Sequence, residues 1–139
     1  MSVEAALWNK LKTNAGIVAI CATRIYPVTI PQAAPGATNI PAITYQRIST
    51  PRVRSLSGPS LLAYPRFQIT SWHTTYTGAK ALGEAVRAAM DGWAGVEAGW
   101  TISDSALEDE RDMFDPSTEL DTNRRYGVAQ DFIIWHVET

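Results

Sequence analysis

The chain carries one cysteine, Cys21, and two histidines in 139 residues. A lone cysteine excludes an internal disulfide and any multi-cysteine zinc site. Its neighbours, "VAICATR", mark a small buried apolar residue and not a thiolate, since it lies in an apolar stretch without a nearby histidine. His73 and His136 fall near the ends of different strand candidates, so no helical histidine pair can be built and no metal site is predicted. No run approaches the roughly 18 apolar residues of a membrane helix. "MSVEAALWNKLK" lacks a basic segment followed by an apolar stretch, which predicts no secretory signal and a protein made in a reducing cytoplasm.

Motifs for chemistry are also missing. "SLSGPS" is not the G-x-S-x-G elbow, and "GPS" and "GWAG" match no phosphate-binding loop. "DSALEDERDMFD" lacks the spacing and closing glutamate of a calcium loop. The eight acids of 104–121, with one arginine among them, describe a charged surface better than a tuned catalytic pair. These absences predict no catalytic residue and no cofactor.

Acidic residues are absent from one long stretch. Between Ala5 and Gly83 there is no Asp or Glu, and residues 1–83 hold eight Lys and Arg against Glu4 alone. Residues 84–139 hold thirteen acids against four arginines, so the net charge of −2 conceals two oppositely charged halves. Such asymmetry points to an interaction role. The basic residues are scattered, without the aromatic interleaving of a nucleic-acid surface. The other reading is self-complementarity, in which the basic part of one copy docks on the acidic part of the next.

What is present reads as one α+β domain spanning 1–139, with 45% hydrophobic residues to build a core. Residues 2–13 form a helix capped by Ser2, with Val3, Leu7 and Leu11 on one face. "AGIVAICATRIYP" reads as a turn of helix and a brief extended piece, followed by a proline-rich connection over 26–41. "AITYQRIS" (42–49) and "LLAYPRFQITSWH" (61–73) are strands, with Pro65 at an end, edge or bulge. Between them "TPRVRSLSGPS" reads as a long loop. Ala79, Leu82, Gly83, Val86, Ala89, Met90 and Trp93 form the stripe of a helix over 75–92. "GWTISDSALEDERDMFD" and "RRYGVAQDFIIWHVE" supply two more strands. The order helix, strand, strand, helix, strand, strand predicts a four-stranded, mostly antiparallel sheet with helices on one face.

"QDFIIWH" complicates that sheet, because Phe132 and Ile134 point to one face while Ile133 and Trp135 point to the other. The second apolar face is covered either by a neighbouring subunit, or by the N-terminal helix with the 75–92 helix on the opposite face.

The strings "RIYPVTIPQ", "IPAITYQRIS", "RFQITSWHTTYTGAKALGEAVRAAMDGW", "ERDMFDPSTEL" and "QDFIIWH", in that order, resemble the tail terminator (tail-completion, head-to-tail joining) proteins of long-tailed bacteriophages and gene transfer particles. The resemblance covers about Arg24 to His136. It implies a small α+β virion protein that assembles as a hexameric ring on the tail tube, at the head–tail junction, without catalytic residues or cofactor. Its implied partners are further copies of itself, the tail tube protein and the connector or neck protein of the capsid. DNA passes through such a ring without being specifically bound, and no membrane is involved.

In that setting the candidate contact residues are Arg47, Arg52 and Arg54 on the basic side, with the 50–60 loop projecting from the body. Asp104, Glu108, Glu110 and Asp112 are the acidic counterparts, and Ile133 and Trp135 the apolar ones. The alternatives are another neck component, a ligand-binding domain or enzyme with a pocket beneath the 75–92 helix, and duplex-DNA binding through the basic half.

Overall fold

A computed structural model describes residues 3–22, 24–30, 40–55, 58–115 and 125–137, with backbone only for 53–55, 58–61 and 115. Ser2 and most of the 26–41 connection lie outside the described residues. Among these residues the chain runs α1 (Val3–Lys12), α2 (Ala15–Cys21), β1 (Ile25–Pro27), β2 (Ala42–Ser49), β3 (Arg52–Ser55), β4 (Gly58–Ala63), β5 (Arg66–His73), α3 (Tyr76–Met90), β6 (Gly95–Glu97), β7 (Trp100–Asp115) and β8 (Arg125–Val137).

The predicted α+β class and largely antiparallel pairing hold, but the sheet has more than four strands. β2, β5, β8 and β7 form its antiparallel centre, as expected. β1 adds a short parallel strand beside β2, which makes the sheet mixed, and β6 adds a short strand beside β7. β6 and β7 are joined through Ala98 and Gly99, both at positive φ (51° and 82°). This is the backbone of the two-residue turn that matches strand twist.

The predicted 50–60 loop is a further correction. Ser55 lies opposite Gly58 and Arg52 opposite Ala63, so β3 and β4 form a hairpin. β4 continues the line of β5 along β8: Ala63 faces His136 and Arg66 faces Ile133, three residues further along each strand. Pro65 marks the break in that line, and its carbonyl still accepts from the Ile134 amide at 3.0 Å. A proline cannot donate to a ladder, which is why one strand of sequence becomes two segments of structure. The Tyr64 amide bonds the Pro51 carbonyl at 3.1 Å, so β2 and β3 run as one kinked arm beside the kinked arm of β4 and β5.

All three helices cover a single face of this sheet. α3 is capped by Thr75, whose hydroxyl accepts from the Gly78 amide at 3.0 Å, and it buries Ala79, Leu82, Gly83, Val86 and Met90 against β5, β7 and β8. α1 buries Val3, Ala6, Leu7 and Leu11 beside α2, α3 and the sheet margin. Phe67, Ile69, Phe132 and Ile134 supply the sheet's side of this core and are fully buried. The arrangement with one helix on each face is therefore overturned. Among the described residues no helix packs on the face that carries Ile133 and Trp135.

Candidate assembly surfaces

Residues of opposite charge lie toward the two sides of the sheet. β2, with Arg47, lies at one side, and acidic β7 lies at the other, with β5 and β8 between them. The connection between Ser49 and Arg52 carries the basic margin into the β3–β4 hairpin, which holds Arg52 and Arg54. The Arg54 side chain lies outside the described residues.

Register assigns each acidic candidate to a face. Glu110 and Asp112 stand opposite Gln130 and Val128 and share the helix face, whereas Asp104 stands opposite Trp135 on the open face. Glu108 sits at the irregularity between Leu107 and Asp109. Asp104, Glu108, Glu110 and Asp112 are all exposed.

Several candidates already have partners within the chain. Arg47 closes an ion pair with Glu4 of α1, and its guanidinium lies 5.9 Å from the Phe67 ring. Asp112 accepts from Lys80 and, at 2.8 Å, from the Tyr76 hydroxyl, both on α3. These two donors hold the Asp112 carboxyl below the usual carboxylate range, led by Lys80, and the same bond raises the Lys80 ammonium. Arg24 donates to the Pro41 carbonyl at 2.7 Å, while Lys10 and Lys12 lie over the rings of Trp93 and Trp8. Each of these five basic side chains thus has a partner within the chain.

Sequence reasoning missed a charge cluster on the open face. Arg66 donates to Asp131 Oδ2 from Nη2 at 2.9 Å and from Nε at 3.2 Å, and Arg111 lies 3.5 Å from the same oxygen. Arg111 also reaches Asp109 at 3.4 Å. The signal was the charged Asp131 beside four large apolar residues in "QDFIIWH", but its partners come from other strands. Beside this cluster Trp135 stacks on Tyr64, with ring centroids 4.4 Å apart. Ile133 and Trp135 are half-buried, with part of the tryptophan's cover supplied by the chain itself.

The outer margin of β7 is closed over only part of its length. The Gly92 amide donates to the Ser105 carbonyl at 2.7 Å, and the Leu107 amide donates to Asp91 Oδ1 at 3.3 Å. The turn after α3 thus seals the margin near 105–107. Further on, the Glu110 amide is taken by Asp109 Oδ1 at 2.9 Å, and no partner strand flanks Glu110–Phe114 among the described residues.

A family model described as tail completion protein gp17 matches residues 5–136. The chain belongs to the tail completion protein gp17 family. Family membership implies a structural, non-enzymatic part in a phage-like tail, and accounts for a chain built around surfaces. Among solved structures it is similar to a chain described as "Virion of native gene transfer agent (GTA) particle". That similarity has a TM-score of 0.71 at 17% identity, over 97% of this chain and 95% of the other, and it shows a shared fold. No curated protein matches the chain by sequence.

For this gp17-family member the chemistry-bearing residues have structural positions. Cys21 is buried at the end of α2, and burial pushes its thiol pKa up, away from nucleophilic use. His73 packs its ring against Gly78, where an added Cβ would come within 2.3 Å of it, and burial lowers the imidazole pKa. Among the described residues no three His, Cys, Asp or Glu side chains converge on a metal position.

Proposed function

We propose that the protein forms a hexameric ring at the head-proximal end of the tail, stops tube polymerisation there, and joins the tail to the capsid connector. The observation that carries this reading, beside family membership, is that one sheet has two unlike margins of opposite charge. Identical subunits related by rotation need unlike surfaces that fit each other, and such head-to-tail contacts close into rings. Charge complementarity then selects partner and register more than it adds affinity.

In this reading the β3–β4 hairpin, with Arg52 and Arg54, reaches the tube or the neighbouring subunit. Asp104, Glu108, Glu110 and Asp112 serve the other side of the subunit joint. Ile133 and Trp135 lie at the half-covered centre of the open face, which a neighbour completes. One axial end matches the terminal ring of the tube, and the other does not template a further ring. DNA passes through without specific binding.

Particle production in a host lacking this chain tests the role. The expected result is filled heads without tails together with tubes of uncontrolled length. Tails of normal length, attached to heads, would overturn the proposal.

A further inference from the structure

The margins of β2 and β7 carry enough geometry to specify the joint. The Ile134 amide points to Pro65, on the β5 side of β8, so alternate residues from Ile134 back to Tyr126 direct their backbone to β5. The residues between them bond β7, through Asp109, Arg111 and Met113. The remaining β7 residues, Glu110, Asp112 and Phe114, therefore turn N–H and C=O outward. The outward bonds made at Ser105 and Leu107 obey the same alternation.

β2 behaves likewise. The Ile43 amide bonds Arg24 and the Tyr45 carbonyl bonds Val28, both on the outer side, which β1 occupies up to Tyr45. The next outward residue is Arg47, whose outer backbone groups have no partner among the described residues.

We infer that the Arg111–Met113 margin of one subunit takes the Gln46–Ile48 margin of a second copy as an added antiparallel strand, with Arg47 opposite Asp112. The inference rests on the ring reading and names its joint. Four features support it.

Strand direction is the first. β2, β5, β8 and β7 alternate in direction, so a rotated copy presents its β2 antiparallel to the β7 it meets. Facing is the second, since Arg47 and Asp112 both project to the helix face, as directly opposed residues must. The third is charge. The pairs Glu4–Arg47 and Asp112–Lys80 would join end to end into one alternating row, and exposed apolar side chains flank it: Ile48 (50%) on one margin, Met113 (40%) and Phe114 (52%) on the other.

The fourth is slope. Asp112 is level with Val128, Ser71 and Ile43 across the sheet, and Arg47 is four residues beyond Ile43. Four residues span about 13 Å along a strand and four strand spacings about 19 Å across, a slope of about 35°, at the lower end of the range for closed barrels. Closure also removes two strand margins that would otherwise invite uncontrolled pairing.

The test is a cross-link. Opposing Arg47 to Asp112 puts Gln46 opposite Met113, at the close spacing of a non-hydrogen-bonded pair, about 4.5 Å between Cα atoms, within disulfide reach. Within one chain the same two residues are three strands apart and four residues out of level, about 20 Å, beyond that reach. Cys21 is buried and does not compete. The double variant Gln46→Cys with Met113→Cys, oxidised in assembled rings, should give a ladder of covalent multimers on a non-reducing gel that collapses to monomer on reduction. The single variants should give none.

Assembled rings without that ladder would overturn the inference while leaving the tail-completing role intact. A ladder from Gln46→Cys with Arg111→Cys in its place would overturn the register. The exchange Arg47→Glu with Asp112→Lys provides a second readout: each change alone should reduce assembly and the pair should restore it. Assembly unchanged by either single substitution would count against the joint. A ladder in a protein that never binds tube ends would uphold the joint and overturn the role.

Discussion

The Gln130 side chain on β8 donates from Nε2 to the carbonyl oxygen of Gly83 on α3 at 3.0 Å, inside the core. Gly83 allows this approach because a Cβ there would lie 3.3 Å from Val128 Cγ1. Inside the core, α3 and β8 meet through this polar contact amid apolar packing. Gln130→Ala should lower stability by about 2–4 kcal/mol, from the cavity and the lost hydrogen bond. Denaturant unfolding of wild type and variant measures this, and a loss under about 0.5 kcal/mol would show that the contact is incidental.

Asp131 is the hub of the open-face charges, with a side chain only 10% exposed and flanked by Arg66 and Arg111. Asp131→Ala should cost about 1–3 kcal/mol, because it leaves Arg66 partly buried without its acceptor. Arg111→Ala, at a longer distance and on a more exposed side chain, should cost under about 1 kcal/mol. Equal losses in the two variants would contradict this ranking.

Ala98 holds a φ of 51° in the turn between β6 and β7, a conformation that disfavours alanine. Ala98→Asn should raise stability by a few tenths to about 1 kcal/mol, since asparagine adopts this region more readily. A thermal-unfolding comparison checks the sign, and a destabilised variant would refute the assignment of strain.

The Asp112 carboxyl titrates below its ordinary range because Lys80 and Tyr76 donate to it. A carboxylate with a depressed folded pKa stabilises the fold above the unfolded value, about 3.9; that contribution disappears as pH falls through the folded value. Carboxyl-carbon NMR should show a low midpoint in wild type that moves upward in Lys80→Ala. An unchanged midpoint would remove the ion pair from the account.

The elements best legible in the sequence were those with a strong local period. The stripe from Ala79 to Trp93 announced α3, and the apolar run from Phe132 to Trp135 announced β8. The β3–β4 hairpin was not legible. Pro51, Gly58 and Pro59 read as loop chemistry, and its strand character depends on β4 continuing the β5 line along β8, a non-local pairing. β1 and β6 are three residues each, too short to show a period. At the assembly surfaces, charge segregation was visible as a count of residues. Its division between two sheet margins was not, because register decides which acids face α3 and which face outward. The internal partners of Arg47 and Asp112, on α1 and α3, likewise arise only from packing.

The most direct test of a charge-matched ring that completes a tail is the mass of the purified protein in solution, alone and with tail tubes, at low and high salt. The account predicts a hexamer-sized species, free or at tube ends, that weakens as salt screens the joint. A monomer that ignores tube ends at every salt concentration would contradict it.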